Sequence, residues 1–282
     1  MAYLLIAINV IAGLAEGIFI KKYNSKHMYG GFVFTAIVSL FAMVFCVIGD
    51  KGDFVVIPEL LPYAVVSGIL YCTASILTYF ALAYGSFALS MLVLSYSIVF
   101  SIGYGVIFLH EPITPFSAVG FVLLVVSLFL TRKDSVSGKL SAKWIVCIVL
   151  SVVGNGMYGV ITRMQQIRFD GVYDNECLAI GLGISAVVLF VSGIFTDGKH
   201  MKEILKYAVP YAMGAGLING FRNVIGLFVC TMIPISVSSA TTSGMKIVVS
   251  FLVSYLMFKE TFLKRQVVGV IIGAAALVLL NI

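Results

Sequence analysis

Charged residues are scarce in this chain. Asp, Glu, Lys and Arg make up 11% of its 282 residues, whereas soluble domains carry about 25%. Apolar residues make up 61%, and the mean hydropathy is +1.12. This excess is spread over many segments, which is typical of a polytopic membrane protein. No basic run is interleaved with aromatic residues, so a nucleic-acid partner is not expected.

Several chemical signatures are missing as well. The five cysteines form no C-x-x-C pair and the three histidines fall in predicted loops, so we expect no metal site. The chain has no G-x-x-x-x-G-K-[ST] nucleotide-binding loop. A membrane-embedded enzyme would need several acids or a Ser/His or Asp/Asp set inside the bilayer. We therefore predict neither a cofactor nor an enzymatic activity.

Ten apolar segments are present, most of them about 20 residues long, the length that a helix needs to cross a bilayer. They are 2–20, 31–48, 60–84, 87–108, 115–131, 144–163, 176–195, 206–230, 235–258 and 266–281. Backbone groups in lipid must be hydrogen-bonded within the protein, so these runs predict an all-α membrane protein with ten transmembrane helices. We expect a multi-pass protein of the cell membrane, embedded in the lipid bilayer as a monomer or homodimer.

The second half of the chain repeats the first. Matched residues lie 148 or 149 positions apart: Pro62-Tyr63-Ala64 and Gly68 with Pro210-Tyr211-Ala212 and Gly216, and Glu111 and Gly120 with Glu260 and Gly269. Each half holds five spans, an odd number, so the halves must be inverted in the membrane. We predict five-helix repeats over 1–131 and 143–282. Inverted repeats with a site near the midplane are typical of secondary transporters.

Two motifs resemble those of a known family. FLHEPITPFSAVG and FKETFLKRQVVGVIIGAAALVLL are similar to the junction between the fourth and fifth helices of each repeat in EamA-type drug/metabolite transporters. The resemblance covers nearly the whole chain and implies secondary transport of a small-molecule substrate, as uptake or as efflux. The first helix departs from the family pattern, because Glu16-Gly17 stands where these proteins often have Trp-Gly.

Lysine and arginine are distributed unevenly over the predicted loops. Thirteen of them lie at or after the ends of the first, fifth, seventh and ninth spans, and three lie at span ends or in loops on the opposite face. Cytoplasmic loops of membrane proteins carry the excess of basic residues. We therefore predict that these four loops face the cytoplasm and that both termini face outside.

Three charged residues lie in the interior of predicted spans, away from the end residues of those spans: Glu16, Arg222 and Lys246. A charge at this depth is costly and normally faces a cavity, a counter-charge or a ligand. Glu16 shares one helical face with Asn9 and Gly13. It is predicted either to carry a proton during transport or to form a structural ion pair with Arg222 or Lys246.

The two cations have similar alternatives. Arg222, accompanied by Asn219 and Asn223, offers a planar fork suited to a carboxylate or phosphate, or it tethers two helices. Lys246 and Thr242 lie on a stripe of small hydroxyl residues that could line a wet cavity or simply pack. We predict that Glu16, Arg222 and Lys246 share one central cavity.

Asn155, Tyr158 and Tyr71 are further candidates for substrate contact, although each could serve packing alone. Two cations and one anion suit an amino acid or organic anion, and they also suit a neutral solute if the charges pair internally. The alternative functions are a lipid or lipid-linked-sugar flippase on the same fold and, less favoured, a membrane-embedded enzyme.

Overall fold

The computed structural model is helical throughout the part of the chain that it describes. The described residues are 2–27, 29–49, 54–108, 114–131, 141–232, 242, 245–246, 249–253, 255–257, 259 and 263–279. The helices are α1 (Ala2–Lys26), α2 (Gly31–Gly49), α3 (Leu61–Tyr84), α4 (Phe87–Ser95), α5 (Ile98–Phe108), α6 (Pro115–Thr131), α7 (Ala142–Arg168), α8 (Asp174–Asp197), α9 (Met201–Met232) and α10 (Lys264–Leu279). Short 3-10 helices, Pro58–Leu60 and Gly198–His200, lead into α3 and α9. The predicted all-α architecture is confirmed for these residues.

Several of these helices can cross a membrane. Five are long and apolar enough to do so: Ala2–Lys26, Gly31–Gly49, Pro58–Tyr84, Ala142–Arg168 and Asp174–Thr196. They match the first, second, third, sixth and seventh predicted spans. The eighth predicted span lies in α9, whose 32 residues make a helix about 48 Å long. The chain is therefore a helical membrane protein with multiple spans.

The predicted fourth span, 87–108, is two helices rather than one. α4 ends at Ser95, and α5 begins three residues later. Between them the amides of Tyr96 and Ser97 donate to carbonyls only three residues back, at 3.1 and 3.2 Å. The Ser95 hydroxyl also donates to a carbonyl of the preceding turn, at 2.9 Å. Serine bonds of this kind bend helices, so the predicted span is interrupted at Tyr96 and Ser97 instead of running as one unbroken helix.

The start of α9 also differs from the predicted start of the eighth span. α9 begins at Met201, five residues before the predicted start of the eighth span at 206, and Pro210 lies inside the helix. The predicted ninth span, 235–258, lies mostly outside the described residues. Glu111 and Glu260 lie outside them too.

The helices pack mainly across the two halves of the chain. The main packed pairs are α1 with α9, α3 with α7, α2 with α9, α3 with α8, α2 with α8, and α6 with α10. Each of these pairs joins a helix of 1–131 to a helix of 143–282. A buried apolar cluster accordingly combines side chains of α1, α3, α4, α7 and α9. The core therefore lies between the halves rather than within either one.

Two matched glycines allow close helix crossings. A Cβ at Gly68 would lie 2.8 Å from the carbonyl oxygen of Gly181, where α3 crosses α8. A Cβ at Gly216 would lie 2.7 Å from the carbonyl oxygen of Val38, where α9 crosses α2. Small residues let membrane helices approach through their backbones. The glycines of the sequence repeat thus fall at corresponding crossings.

One end of the bundle is rich in lysine, and we call it the basic end. The Lys21 ammonium, near the end of α1, donates to the Gly85 carbonyl at the end of α3 (2.6 Å). The indole of Trp144, near the start of α7, packs directly on Gly85. Tyr29, before α2, stacks on His200, before α9, with ring centroids 5.7 Å apart. The lysines carried by these helix ends are Lys21, Lys22, Lys26, Lys143, Lys202 and Lys206.

Candidate functional site

Glu16 and Arg222 form an ion pair between α1 and α9. The Nη1 atom of Arg222 donates to Oε2 of Glu16. The Glu16 side chain is 13% exposed and the Arg222 side chain 30%. The pair is therefore largely enclosed by the bundle, with its arginine partly accessible. The sequence left Arg222 and Lys246 as alternative ion-pair partners of Glu16, and in the structure the partner is Arg222.

Asn219 extends this pair into a hydrogen-bonded network. Its Nδ2 donates to Oε1 of Glu16 at 2.8 Å, so both carboxylate oxygens of Glu16 accept a hydrogen bond. Its Oδ1 accepts from Nδ2 of Asn223 at 3.0 Å and from the Tyr71 hydroxyl at 3.2 Å. Asn219 is itself buried, with 6% of its surface exposed. Buried polar groups of this kind are stable only when they are hydrogen-bonded.

The face of α1 that carries Glu16 is the face that meets α9. A Cβ at Gly13 would lie 3.0 Å from Nε of Arg222, so the glycine leaves room for the guanidinium. Asn9 donates from Nδ2 to the main-chain carbonyl of Arg222 at 2.8 Å. Within the described residues, Nε of Arg222 is buried and has no hydrogen-bond acceptor. That N–H is a donor that a water or a bound solute could satisfy.

Tyr71 of α3 and Tyr158 of α7 form the opposite side of the cluster. Their rings meet edge to face, with centroids 5.6 Å apart. Both side chains lie within electrostatic range of Arg222. Because the Tyr71 hydroxyl reaches Asn219, it connects the α3–α7 pair to the α1–α9 pair.

Lys246 lies near this cluster. It is half-buried and within electrostatic range of both Arg222 and Glu16. Among the described residues it forms no ion pair, so its positive charge is not neutralised by a direct partner there. Thr242, one helical turn earlier, is also half-buried. Ser239 and Ser243, two further hydroxyl residues on the predicted stripe, lie outside the described residues.

Asn155 forms its hydrogen bonds within its own helix, α7. Its Nδ2 donates to the carbonyl and to the hydroxyl of Ser151, at 2.8 and 3.2 Å. The Ser151 hydroxyl in turn lies 2.6 Å from that of Thr78 and donates to the Ala74 carbonyl at 3.1 Å. These bonds hold α7 against α3. Asn155 supports helix packing in this structure, and its contact with a substrate stays a prediction.

The polar cluster falls at matched positions of the two halves. Tyr71 and Asn219, which share a hydrogen bond, are 148 residues apart, like the glycines of the two helix crossings. Glu16 and Tyr158 directly precede two similar motifs, GIFIK from Gly17 and GVITR from Gly159, which are 142 residues apart. Sequence reasoning named all four residues but missed the contact between Tyr71 and Asn219. The 148-residue separation, which the matched glycines Gly68 and Gly216 share, is the signal in the sequence that could have indicated it.

The cluster combines a carboxylate, a guanidinium, two amides and two phenols. It offers donors and acceptors beside aromatic rings, the kind of lining that orients a small ligand. Glu16 and Arg222 neutralise each other, whereas Lys246 adds one positive charge nearby. The arrangement suits a small solute that carries hydroxyl groups or a single acidic group.

Replacing Tyr71 by phenylalanine tests whether the two helix pairs are connected through Asn219. We expect the free energy of unfolding to fall by about 1 kcal/mol, the usual contribution of one hydrogen bond, because the ring remains and only the hydroxyl is lost. Thermal unfolding in detergent measures this change. Tyr63→Phe on the same helix is the control, since the Tyr63 hydroxyl makes no hydrogen bond to any described residue. Equal effects of the two substitutions would contradict the proposed connection.

Comparison with known proteins points to transport. No family model matches the chain, so its EamA-type membership stays a prediction. The chain is 30% identical over 190 residues to the "Probable glucose uptake protein GlcU" of Priestia megaterium, a match that covers 64% of this chain and 62% of that relative. The chain thus spans about three fifths of the length of the curated relative that it matches.

A solved structure titled "Crystal structure of protein" shares the fold. The alignment has a TM-score of 0.55 and 13% sequence identity, and it covers 94% of this chain and 97% of the other. At this identity the likeness concerns the fold alone. The multiple apolar helices and the likeness to an uptake protein together support a membrane transporter.

Proposed function

We propose that this chain is a secondary transporter that moves a small polar metabolite across the membrane. The observation that carries the proposal is the polar network of Glu16, Arg222, Asn219 and Tyr71, which joins three helices inside the bundle. Charged residues at such depth mark substrate or ion pathways in membrane proteins. The likeness to a glucose uptake protein supports the same function.

We also propose that the halves 1–131 and 143–282 are inverted five-helix repeats. In this scheme α4 and α5 together form the fourth helix of the first half. The pair α1–α9 then joins a first helix to a third, as does α7–α3. The pairs α2–α9 and α8–α3 each join the second helix of one half to the third helix of the other. The pair α2–α8 joins the two second helices, and α6–α10 joins the two fifth helices. Exchange of the halves converts each of these pairs into another observed pair or, for the like-to-like pairs, into itself, as a two-fold axis requires.

The first substrate candidate is a neutral hydroxyl-bearing solute such as a sugar. The ion pair leaves no net charge on Glu16 and Arg222, and the amides of Asn219 and Asn223 can donate to and accept from hydroxyl groups. Tyr71 and Tyr158 add aromatic surface beside them. The name of the relative from Priestia megaterium points to the same class of substrate.

The second candidate is an amino acid or organic anion. It is favoured by Lys246, whose charge lies within range of the pair, and by the Nε–H of Arg222, which has no acceptor among the described residues. Uptake into proteoliposomes separates the two candidates. For the first, labelled glucose is taken up and unlabelled amino acids do not compete. For the second, an amino acid or organic acid is taken up and sugars do not compete.

Glu16 is the proposed proton carrier. If substrate movement is linked to protonation of Glu16, its release from Arg222 accompanies the transport cycle. Glu16→Gln keeps the size of the side chain and an acceptor for Asn219 but cannot exchange a proton. We expect this variant to fold, to lose accumulation driven by a pH gradient across the proteoliposome, and to retain exchange of labelled for unlabelled substrate.

The matched control is Glu59→Gln, which removes an exposed acid from the 3-10 helix before α3. It is expected to accumulate substrate like the wild type. If Glu16→Gln still accumulates substrate with the wild-type dependence on pH, Glu16 is a structural tether and the proton-coupled mechanism is wrong.

A further inference from the structure

An open apolar groove lies between α3 and α7 at the basic end of the bundle. Its volume is about 450 Å³. It is lined by Phe80, Tyr84, Ala142, Lys143, Val146 and Cys147. Tyr84 is the last residue of α3, and Ala142 and Lys143 are the first two of α7. The groove therefore begins where two spans end and runs about one helical turn toward the bilayer centre.

The groove is separate from the polar cluster. Tyr84 follows Tyr71 by thirteen residues on α3, which corresponds to about 20 Å along a helix. The wall of the groove is aromatic and aliphatic, with the rings of Phe80 and Tyr84 stacked at 6.1 Å. Tyrosine is enriched at the boundary between acyl chains and headgroups, which is where the end of α3 places Tyr84.

Lys143 supplies the charge of the groove. It is exposed and forms no ion pair with any described residue. The carbonyls of Leu82 and Gly85 at the end of α3 already accept hydrogen bonds from the Lys21 ammonium, at 2.7 and 2.6 Å, so they do not require Lys143 as a donor. Lysine extends its apolar stem along such a surface and keeps its ammonium in the headgroup layer.

We propose that this groove binds an anionic phospholipid of the surrounding bilayer. Its acyl chain packs on Phe80, Val146 and Cys147, and its phosphate meets the Lys143 ammonium. The choice of an anionic lipid rests on charge complementarity, since Lys143 and the other lysines of the basic end face one leaflet surface. Cytoplasmic leaflets are rich in anionic lipids and attract such residues.

Native mass spectrometry of the purified protein with added phosphatidylglycerol or phosphatidylcholine tests this site. The wild type is expected to retain phosphatidylglycerol in preference to phosphatidylcholine. Lys143→Gln should weaken phosphatidylglycerol binding about fivefold. One basic residue near an anionic membrane surface contributes about 1 kcal/mol, which corresponds to that change in affinity. Val146→Trp fills the groove and keeps the lysine, so it should also displace the lipid.

Lys202→Gln is the matched control, because Lys202 is an exposed lysine of the basic end outside the groove. It is expected to bind phosphatidylglycerol like the wild type, and thermal unfolding without lipid should be unchanged in all three variants. Retention of lipid by Lys143→Gln or Val146→Trp at the wild-type level would overturn the proposal. So would equal loss in Lys202→Gln, or inorganic phosphate protecting the wild type against unfolding as well as the lipid does.

Discussion

Replacing either Glu16 or Arg222 by alanine is expected to destabilise the protein by about 3 kcal/mol. Each substitution leaves the other charge without its counter-charge inside the bundle. The value lies at the lower end for buried pairs because the Arg222 side chain keeps 30% of its surface accessible. Unfolding of the purified protein by a denaturing detergent measures the change. Transport is expected to be lost in both variants.

The double variant Glu16→Ala/Arg222→Ala makes this prediction specific. It removes both charges together, so its destabilisation should be clearly smaller than the sum of the two single effects. Glu59→Ala, on an exposed acid, should change the stability by less than about 0.5 kcal/mol. Strictly additive losses would mean that the two side chains do not depend on each other, and the central ion pair would have to be abandoned.

Alanine at Gly68 or Gly216 is expected to destabilise the bundle by about 1–3 kcal/mol. At both positions the new methyl group would meet a main-chain carbonyl oxygen of the neighbouring helix, at 2.8 and 2.7 Å. A backbone atom cannot turn aside as the end of a side chain can, so the helices must separate. Because the two glycines occupy corresponding crossings, α3 on α8 and α9 on α2, we expect effects of similar size.

Gly49→Ala is the control for these two variants. A Cβ at Gly49 would meet nothing within 4 Å, so this variant should be neutral or slightly more stable. Thermal unfolding in detergent compares all three. Gly68→Ala or Gly216→Ala behaving like Gly49→Ala would show that the crossings are not closely packed.

Much of the fold could be predicted from hydropathy alone. Continuous apolar runs of about 20 residues have one stable solution in lipid, the helix, because every backbone group must find its hydrogen bond within the chain. The break in 87–108 could not be predicted in this way. The chain is apolar on both sides of Tyr96, and the bend depends on short-range bonds of Ser95 and its neighbours.

The amino-acid sequence alone indicates that this protein lies in a membrane, that matched motifs recur in its two halves, and that Glu16, Arg222 and Lys246 stand inside apolar spans. These properties follow from composition and spacing. The packing of the helices, in contrast, shows that Glu16 pairs with Arg222, that Asn219 connects them to Tyr71, and that Asn155 bonds within its own helix. The periodicity of one helix shows which residues share a face, but the partner of that face depends on how closely two helices approach. At Gly13 that approach rests on the absence of a side chain, and its effect appears only when α9, some 200 residues later in the chain, packs against it.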